Sequence, residues 1–286
     1  ANGRKRGGVS FAADIHRTLL LKIPPVEPGT VGPCPVAPDA LQGIKRQQTN
    51  PARWNGVGWQ DFVAALQAGG VELVEGAVAC GVYATDAGGT AYGLPHGVVV
   101  ARGAGQVSTL LKAAQAHRVP VTVRGGGLTT EGESVAFGGV LLDMSGMSRV
   151  VSIDAERLTV RTEAGIYWHS LAEELRRENL DYLSAPLNLT SSVGGTLGVG
   201  GIDVNSARLG CSADQAVSLQ VVTPTGEIVE CSDSENAELF RRVILGYGQF
   251  GIITEATLRI RPYTPLSMHY YYYSSLRTAI EDLQML

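Results

Sequence analysis

Three short glycine-rich segments, each beside a run of aliphatic residues, constrain the fold of this chain more than any other feature. They span residues 124–132, 191–201 and 246–253. The sequence holds 36 glycines in 286 residues, well above the usual ~7%, and they follow no collagen-like repeat. Glycine lets the backbone take positive φ values and approach a ligand closely. These segments are therefore the first candidates for a binding site.

The residues around these segments predict alternating helices and strands. Residues 98–123 are typical of a short strand, a helix with one apolar face and a second strand, an order that implies parallel pairing. Residues 150–161 predict a hairpin, residues 168–175 a helix with an apolar stripe, and residues 252–260 a long strand. The sequence therefore predicts an α+β fold, with two lobes that meet near residues 140–165.

The first glycine-rich segment begins with Arg124 directly after a predicted strand. Consecutive glycines let several backbone N–H groups point at one anion, for which a pyrophosphate is the usual guest. A plain tight turn is the alternative interpretation. The segment is not a P-loop, because no Gly-Lys-Ser/Thr follows it, and its spacing differs from the Rossmann fingerprint.

The second segment has two serines before five glycines and carries no charged side chain. We predict a glycine-rich loop over residues 191–210. Such a neutral loop suits a large planar ligand with a ribityl-phosphate tail. A mobile loop is the alternative, but it would expose Val193, Leu197, Val199 and Ile202. Taken alone, the third segment is typical of an ordinary turn before a strand.

Four motifs occur together in the order found in one enzyme family. They are VGGTL at residues 193–197, RLG at 208–210, GEIVECS at 226–232 and GQFGIIT at 248–254. With these motifs, residues 80–265 resemble the flavin-binding half of the vanillyl-alcohol-oxidase (PCMH) type of FAD oxidoreductases, and most of all cytokinin dehydrogenases. The resemblance implies a two-lobed PCMH-type FAD-binding domain whose cap, or substrate, domain is largely absent.

The same resemblance implies the cofactor and its site. FAD would be held by backbone amides of the first two segments, with Ile253 near the adenine. A small organic substrate would approach from a cap domain and give a hydride to flavin N5. The implied cofactor-binding residues are Arg124, Gly125, Gly126, Gly127, Leu128, Thr129, Gly132, Ser191, Ser192, Gly194, Gly195, Thr196, Gly198, Gly201 and Ile253. No catalytic residue can be assigned.

Two positions depart from the cytokinin dehydrogenase pattern. Leu128 stands where those enzymes have the histidine that bonds covalently to FAD, so the implied FAD is non-covalent. Leu187 stands where they have an aspartate that accepts a proton from the substrate. Neither Leu187 nor the adjacent Asn188 can act as a general base, although Asn188 could orient a substrate.

We divide the chain into an N-terminal wrapping segment (residues 1–75), a PCMH-type FAD-binding domain (76–265) and the start of a cap domain (266–286). Residues 268–273 predict the first strand of the cap and residues 274–286 its first helix. An unpaired strand leaves an exposed edge, which implies a missing partner. A second chain or another copy of this chain could supply the rest of the cap.

Three hypotheses follow. The chain is an FAD-dependent oxidoreductase or its flavin-binding half, a catalytically silent homologue that serves as a scaffold for a partner subunit, or half of a split enzyme. The loss of both the linking histidine and the catalytic aspartate favours the silent homologue somewhat.

Other classes of function are disfavoured. The net charge is −4 and the Lys and Arg residues form no dense block, so nucleic acid is not an expected partner. No run of 18 apolar residues predicts a membrane span, and we expect a cytoplasmic protein. Cys34, Cys80, Cys211 and Cys231 are widely spaced without a CxxC pair, which argues against a zinc site and for reduced, mostly buried thiols.

Overall fold

A computed structural model describes residues 56–265, Tyr273 and residues 275–283. Residues 56–263 belong to one compact unit and the described residues after them to a second. Residues 1–55 of the predicted N-terminal wrapping segment, Cys34 among them, and most of the predicted first cap strand lie outside the described residues. The division into domains therefore stays a prediction.

The first sheet has four strands in the order β1-β2-β4-β3. The strands are β1 (Val74–Glu75), β2 (Gly97–Val100), β3 (Val121–Arg124) and β4 (Val140–Asp143). Strand β4 runs parallel to both β2 and β3 and lies between them. The predicted parallel sense of β2 and β3 is thus confirmed, although the two strands are not neighbours.

Three helices accompany this sheet: α1 (Trp59–Ala68), α2 (Ala77–Gly81) and α3 (Ala104–His117). The apolar face of α3 carries Val107, Leu110 and Leu111, which are buried in one core cluster with Phe62 and Leu66 of α1. This burial fixes the end of β3, from which the first glycine-rich segment starts.

The second sheet is antiparallel and has the order β5-β6-β10-β8-β9, with β7 paired to the far end of β10. Its strands are β5 (Val150–Asp154), β6 (Thr159–Glu163), β7 (Leu180–Tyr182), β8 (Ala216–Val222), β9 (Ile228–Ser232) and β10 (Ile252–Pro262). Strand β10 buries alternate residues Ala256, Leu258 and Ile260, as its sequence pattern predicts.

The helices of this half are α4 (Trp168–Arg177), α5 (Val193–Val199), α6 (Ser206–Leu209) and α7 (Ala237–Val243), with a 3₁₀ turn at Ser212–Gln215. The apolar stripe of α4 is buried in the same core cluster as the inner face of β10. The prediction of a continuous loop over residues 191–210 is wrong, because α5 and α6 lie within it.

The two sheets approach each other at Gly165, just after β6. A Cβ atom on this residue would lie 1.8 Å from the carbonyl oxygen of Met144, so only glycine allows the contact. The Gly165 N–H donates to the carbonyl oxygen of Met147 at 2.8 Å. The ends of β4 and β6 are therefore held side by side, inside the predicted region where the lobes meet.

The second unit contains helix α8 (Leu276–Leu283), within the predicted cap helix. In it the Tyr273 hydroxyl donates to Asp282 at 2.9 Å.

None of the helices in the described ranges is long and apolar enough to cross a membrane. The same residues contain no cluster of His, Cys, Asp and Glu that could hold a metal ion. Cys80, Cys211 and Cys231 form no disulfide among the described residues, and Cys80 and Cys231 are buried.

Candidate cofactor-binding site

A cleft of about 320 Å³ lies where the three glycine-rich segments come together. All the predicted cofactor-binding residues line it except Arg124 and Gly132. Its remaining lining residues are Val123, Glu133, Ser134, Met144, Ala164, Pro186, Asn188, Val199, Val243, Tyr247, Gly248, Gly251 and Ile252. The sequence motifs contain several of these positions, but only Ile253 of the third segment is among the predicted ligands.

The first segment, residues 124–132, presents backbone donors to the cleft. Within the described part of the chain, the N–H groups of Gly126, Gly127 and Leu128 have no hydrogen-bond partner. Gly127 has φ +66°, a left-handed conformation that turns successive amides to one side. This arrangement suits a bound anion, because successive amides in such a turn can donate to one negatively charged group.

The first and second segments touch through glycine. A Cβ atom on Gly125 would lie 2.0 Å from Ser192 Oγ, and one on Gly126 would lie 2.8 Å from the carbonyl oxygen of Thr190. Larger residues would push the segments apart. The two glycines therefore set the width of the cleft at this end.

Asp86 is hydrogen-bonded to the first segment but does not line the cleft. Its buried carboxylate, 6% exposed, accepts hydrogen bonds from Thr129 Oγ1 and the Gly132 N–H, both at 2.8 Å, and from the Gly89 N–H at 3.2 Å. Gly132 has φ +90°, which brings its amide to this carboxylate. Gly132 thus shapes the loop from outside the cleft lining.

Arg124 does not line the cleft either. Its guanidinium donates to the carbonyl oxygens of Thr85 at 2.9 Å and Ser134 at 3.5 Å and stacks 5.7 Å from the ring centre of Tyr83. The Tyr83 hydroxyl donates to Asp143 at 2.7 Å. Burial, together with this hydrogen bond to a carboxylate, raises the pKa of Tyr83 to about 12. Arg124 is therefore a brace between β3 and the segment before β2.

The second segment folds into α5, and its amides already have partners. The N–H groups of Val193, Gly194 and Gly195 donate to Ile166 O (2.9 Å), Ala164 O (2.7 Å) and Ser192 Oγ (3.3 Å). Ser192 is the N-cap residue of this helix. The segment therefore contributes a lining rich in glycine to the cleft, where the sequence predicts amide donors.

The apolar residues of this segment explain why it is not a mobile loop. Val193 and Leu197 are completely buried beneath α5. Val199 and Ile202 are exposed, and Val199 lines the cleft.

The third segment closes the other end of the cleft. The Tyr247 N–H donates to Gly198 O at 3.1 Å, and the Leu245 N–H donates to Leu197 O at 3.0 Å. These bonds attach the loop before β10 to the C-terminal end of α5. The same loop leads into Ile252 and Ile253, which line the cleft.

The lining carries little charge. Among the described lining residues, Glu133 is the one side chain with a formal charge, and none is a histidine, cysteine, lysine or arginine. Leu128 and Asn188 both line the cleft. Leu187 does not, and its side chain is 77% exposed. An anion in this cleft would be met by neutral backbone donors.

Comparison with known proteins identifies the domain. The sequence model of the FAD binding domain family matches residues 95–232. Over this part of its length the chain is similar to that family, as the motifs predict. It is 38% identical over 181 residues to an uncharacterized oxidoreductase of the fasciation locus of Rhodococcoides fascians, covering 61% of this chain and 40% of that protein. It is 30% identical over 217 residues to cytokinin dehydrogenase 3 of Arabidopsis thaliana, covering 74% of this chain and 40% of the relative.

The fold agrees with this assignment. The solved structure of alkyldihydroxyacetonephosphate synthase superposes with a TM-score of 0.70 at 24% identity, over 79% of this chain and 45% of that one. The two-lobed PCMH-type fold predicted from the motifs is therefore confirmed. The chain matches about two fifths of the length of the curated relatives.

The residues of the cleft fit FAD. The unpartnered amides of Gly126, Gly127 and Leu128 form a cradle for a phosphate group. Next to these amides, Gly125 and Gly126 let the first segment pack closely against Ser192 and Thr190, where a Cβ atom would collide. The neutral lining of the rest suits a planar, mostly uncharged ring system.

Proposed function

We propose that the cleft binds FAD without a covalent bond and that the chain is the flavin-binding half of an oxidoreductase. The observation that carries the proposal is the lining: the described residues around the cleft include amides suited to a pyrophosphate but no histidine or cysteine that could link to the flavin. Leu128 stands at the cleft in the place of the linking histidine of cytokinin dehydrogenases.

The residues have separate tasks in this proposal. The amides of Gly126, Gly127 and Leu128 bind the pyrophosphate, α5 supports the ring systems with its glycine face, and Ile253 lies near the adenine by analogy with the family. Bound FAD supplies a hydride acceptor, flavin N5, for a small organic substrate. Asn188, at the cleft with an amide side chain, orients that substrate.

The first experiment is an absorption spectrum of the protein after loading with FAD and desalting, followed by acid precipitation. We expect flavin bands at about 370 and 450 nm, with the colour released to the supernatant. Colour that stays in the pellet would contradict a non-covalent site. A protein that retains no FAD would contradict the proposal as a whole.

A matched pair of variants locates the site. Gly198 lines the cleft and Gly81 lies in α2 away from it, and a Cβ atom on either helical glycine has no heavy atom within 4 Å. We expect Gly198→Leu to abolish FAD retention and Gly81→Leu to leave it unchanged. Equal retention by both variants would place the FAD elsewhere.

A second function is supported by the missing base. Among the described lining residues only Glu133 has a carboxylate, which accepts the N–H of Glu131 at 3.1 Å, and Leu187 replaces the family's aspartate. The alternative is a catalytically silent FAD-binding scaffold for a partner subunit. The third candidate is a split enzyme, in which a second chain or another copy of this one supplies the cap domain and turnover requires both chains.

Anaerobic mixing distinguishes these functions. If the chain alone is an oxidoreductase, at least one member of a panel of cytokinins, small amines and small alcohols bleaches the ~450 nm band of the FAD-loaded protein. If it is a silent scaffold, only a chemical reductant such as dithionite bleaches the band.

A further inference from the structure

Tyr247 is the single aromatic side chain among the described residues that line the cleft. It projects from the loop between α7 and β10, and 55% of its surface is exposed. The surrounding lining consists of glycines and aliphatic side chains, including Gly198, Gly248 and Ile253. An exposed aromatic ring in such a wall has an open face for another flat ring.

The backbone that presents this ring is strained. Tyr247 has φ +52° and Leu245 has φ +58°, so two residues with side chains adopt the left-handed conformation within three positions. For a bulky residue this conformation is a true outlier, because the side chain crowds the neighbouring backbone. Strain of this kind persists only where the surroundings enforce it, and it is concentrated at ligand-binding sites.

The surroundings do enforce it. The Tyr247 and Leu245 amides donate to Gly198 O and Leu197 O, which are carbonyl groups of the last turn of α5. Gly246 allows the turn between them, because a Cβ atom there would lie 2.1 Å from the carbonyl oxygen of Arg242. The position of Tyr247 is thus set by α5, the helix that forms one wall of the cleft.

The length of α5 separates Tyr247 from the phosphate cradle. Gly125 contacts Ser192 at the start of this helix, and Tyr247 is attached to Gly198 at its end. Six residues of helix span roughly 9 Å. A dinucleotide with its phosphates in the cradle would therefore bring a ring, and not a phosphate, to Tyr247.

We infer that Tyr247 stacks on an aromatic ring of the bound dinucleotide and is a determinant of cofactor affinity in this cleft. The inference rests on the proposed FAD binding. The ring is either the adenine or the isoalloxazine, which share the chemistry of a flat π-system. Stacking on an aromatic side chain is worth enough per base to change affinity measurably.

The test measures the dissociation constants of FAD, FMN and ADP for the wild-type protein, Tyr247→Phe and Tyr247→Leu, by titration calorimetry. Leucine keeps an apolar side chain but removes the π-face. We expect Tyr247→Leu to raise the Kd of FAD roughly tenfold and Tyr247→Phe to change it less than about twofold. A parallel loss for ADP identifies the adenine as the stacked ring, and a parallel loss for FMN identifies the isoalloxazine.

Leu245→Ala is the matched control. Leu245 has the same backbone conformation and similar exposure, 51%, but does not line the cleft, so its replacement should leave the Kd of FAD unchanged. Equal FAD affinity for wild type and Tyr247→Leu would overturn the inference, as would an equal loss in Tyr247→Phe. Failure of the wild-type protein to bind FAD would instead refute the proposed function.

Discussion

The loop after β3 and helix α5 face each other across the cleft, and both are rich in glycine, yet they use it differently. In the loop, Gly126 and Gly127 keep amides without partners among the described residues. In α5, Gly194 and Gly195 donate their amides to Ala164 O and Ser192 Oγ. The loop thus provides hydrogen-bond donors, whereas the helix provides a surface formed mostly by glycine backbone.

The two sides also differ in what holds them. The loop is braced by two charged residues of or near the first sheet, Arg124 and Asp86. Helix α5 is held by its Ser192 cap, by two buried aliphatic side chains and by the end of β6. Substitutions on the two sides should therefore have different effects on stability and on FAD binding. Three measurements can check this.

The largest difference is expected between Gly125→Ala and Gly198→Ala. A Cβ atom on Gly125 would collide with the helix-capping Ser192, whereas one on Gly198 would contact no heavy atom. We expect Gly125→Ala to lower the free energy of unfolding by about 2–3 kcal/mol. We expect Gly198→Ala to raise it by up to about 1 kcal/mol, because alanine is the better helix former. Urea unfolding without FAD measures both, and changes of the same sign would refute the contrast.

A smaller effect, on the cofactor, is expected for Asp86→Asn. The amide replaces one carboxylate oxygen by a donor and so loses part of the hold on Thr129 and Gly132. We expect the Kd of FAD to rise roughly tenfold, since hydrogen bonds to a charged group are the stronger ones. Asp154→Asn, at the last residue of β5, where the carboxylate accepts the Glu156 and Arg157 amides of the next turn, is the control and should not change it. An unchanged Kd for Asp86→Asn would show that the loop keeps its shape without this carboxylate.

Elements with one continuous buried face could be predicted from the sequence. The spacing of Trp168, Leu171 and Leu175 gives the apolar side of α4, and the alternation along residues 252–260 gives the inner face of β10. Each pattern follows directly from the periodicity of its element. The order of strands in the first sheet could not be predicted, because the insertion of β4 between β2 and β3 is not a local property.

Within the site, the motifs locate the three segments but not the conformation of each. Helix α5 could not be predicted from the sequence, because each glycine disfavours a helix by about 1 kcal/mol. It forms nevertheless, since Val193 and Leu197 are buried and Ser192 caps it. Tyr247 was missed because no sequence signal marks a tyrosine at positive φ. The role of Asp86 could not be predicted either, because it lies more than 40 residues before its partners Thr129 and Gly132.

The smallest expected effect is a pH dependence of the unfolding free energy that arises from Glu163, which lies next to the start of α5. The Glu163 carboxylate is 3% exposed and accepts hydrogen bonds from the Arg149 backbone N–H at 2.8 Å and from its guanidinium at 2.7 Å. Burial alone would raise the pKa of Glu163, but the hydrogen bonds and charge of Arg149 outweigh it and lower that pKa. The next residue, Ala164, accepts the Gly194 N–H, so this ion pair supports the base of α5.

A carboxyl group whose pKa is lowered in the folded protein stabilises it above the usual value, near 4.5, and that contribution is lost as the pH falls through the lowered value. We therefore expect the difference in unfolding free energy between wild type and Glu163→Gln to be constant near neutrality and to shrink below about pH 4.5. Urea unfolding at pH values from 7 to 3 measures it. Glu238→Gln removes an exposed ion pair with Arg242 on α7 and should have a smaller effect throughout. A difference for Glu163→Gln that stays constant to low pH would mean that the α5 side depends on packing alone, and the contrast with the charge-braced loop would become sharper.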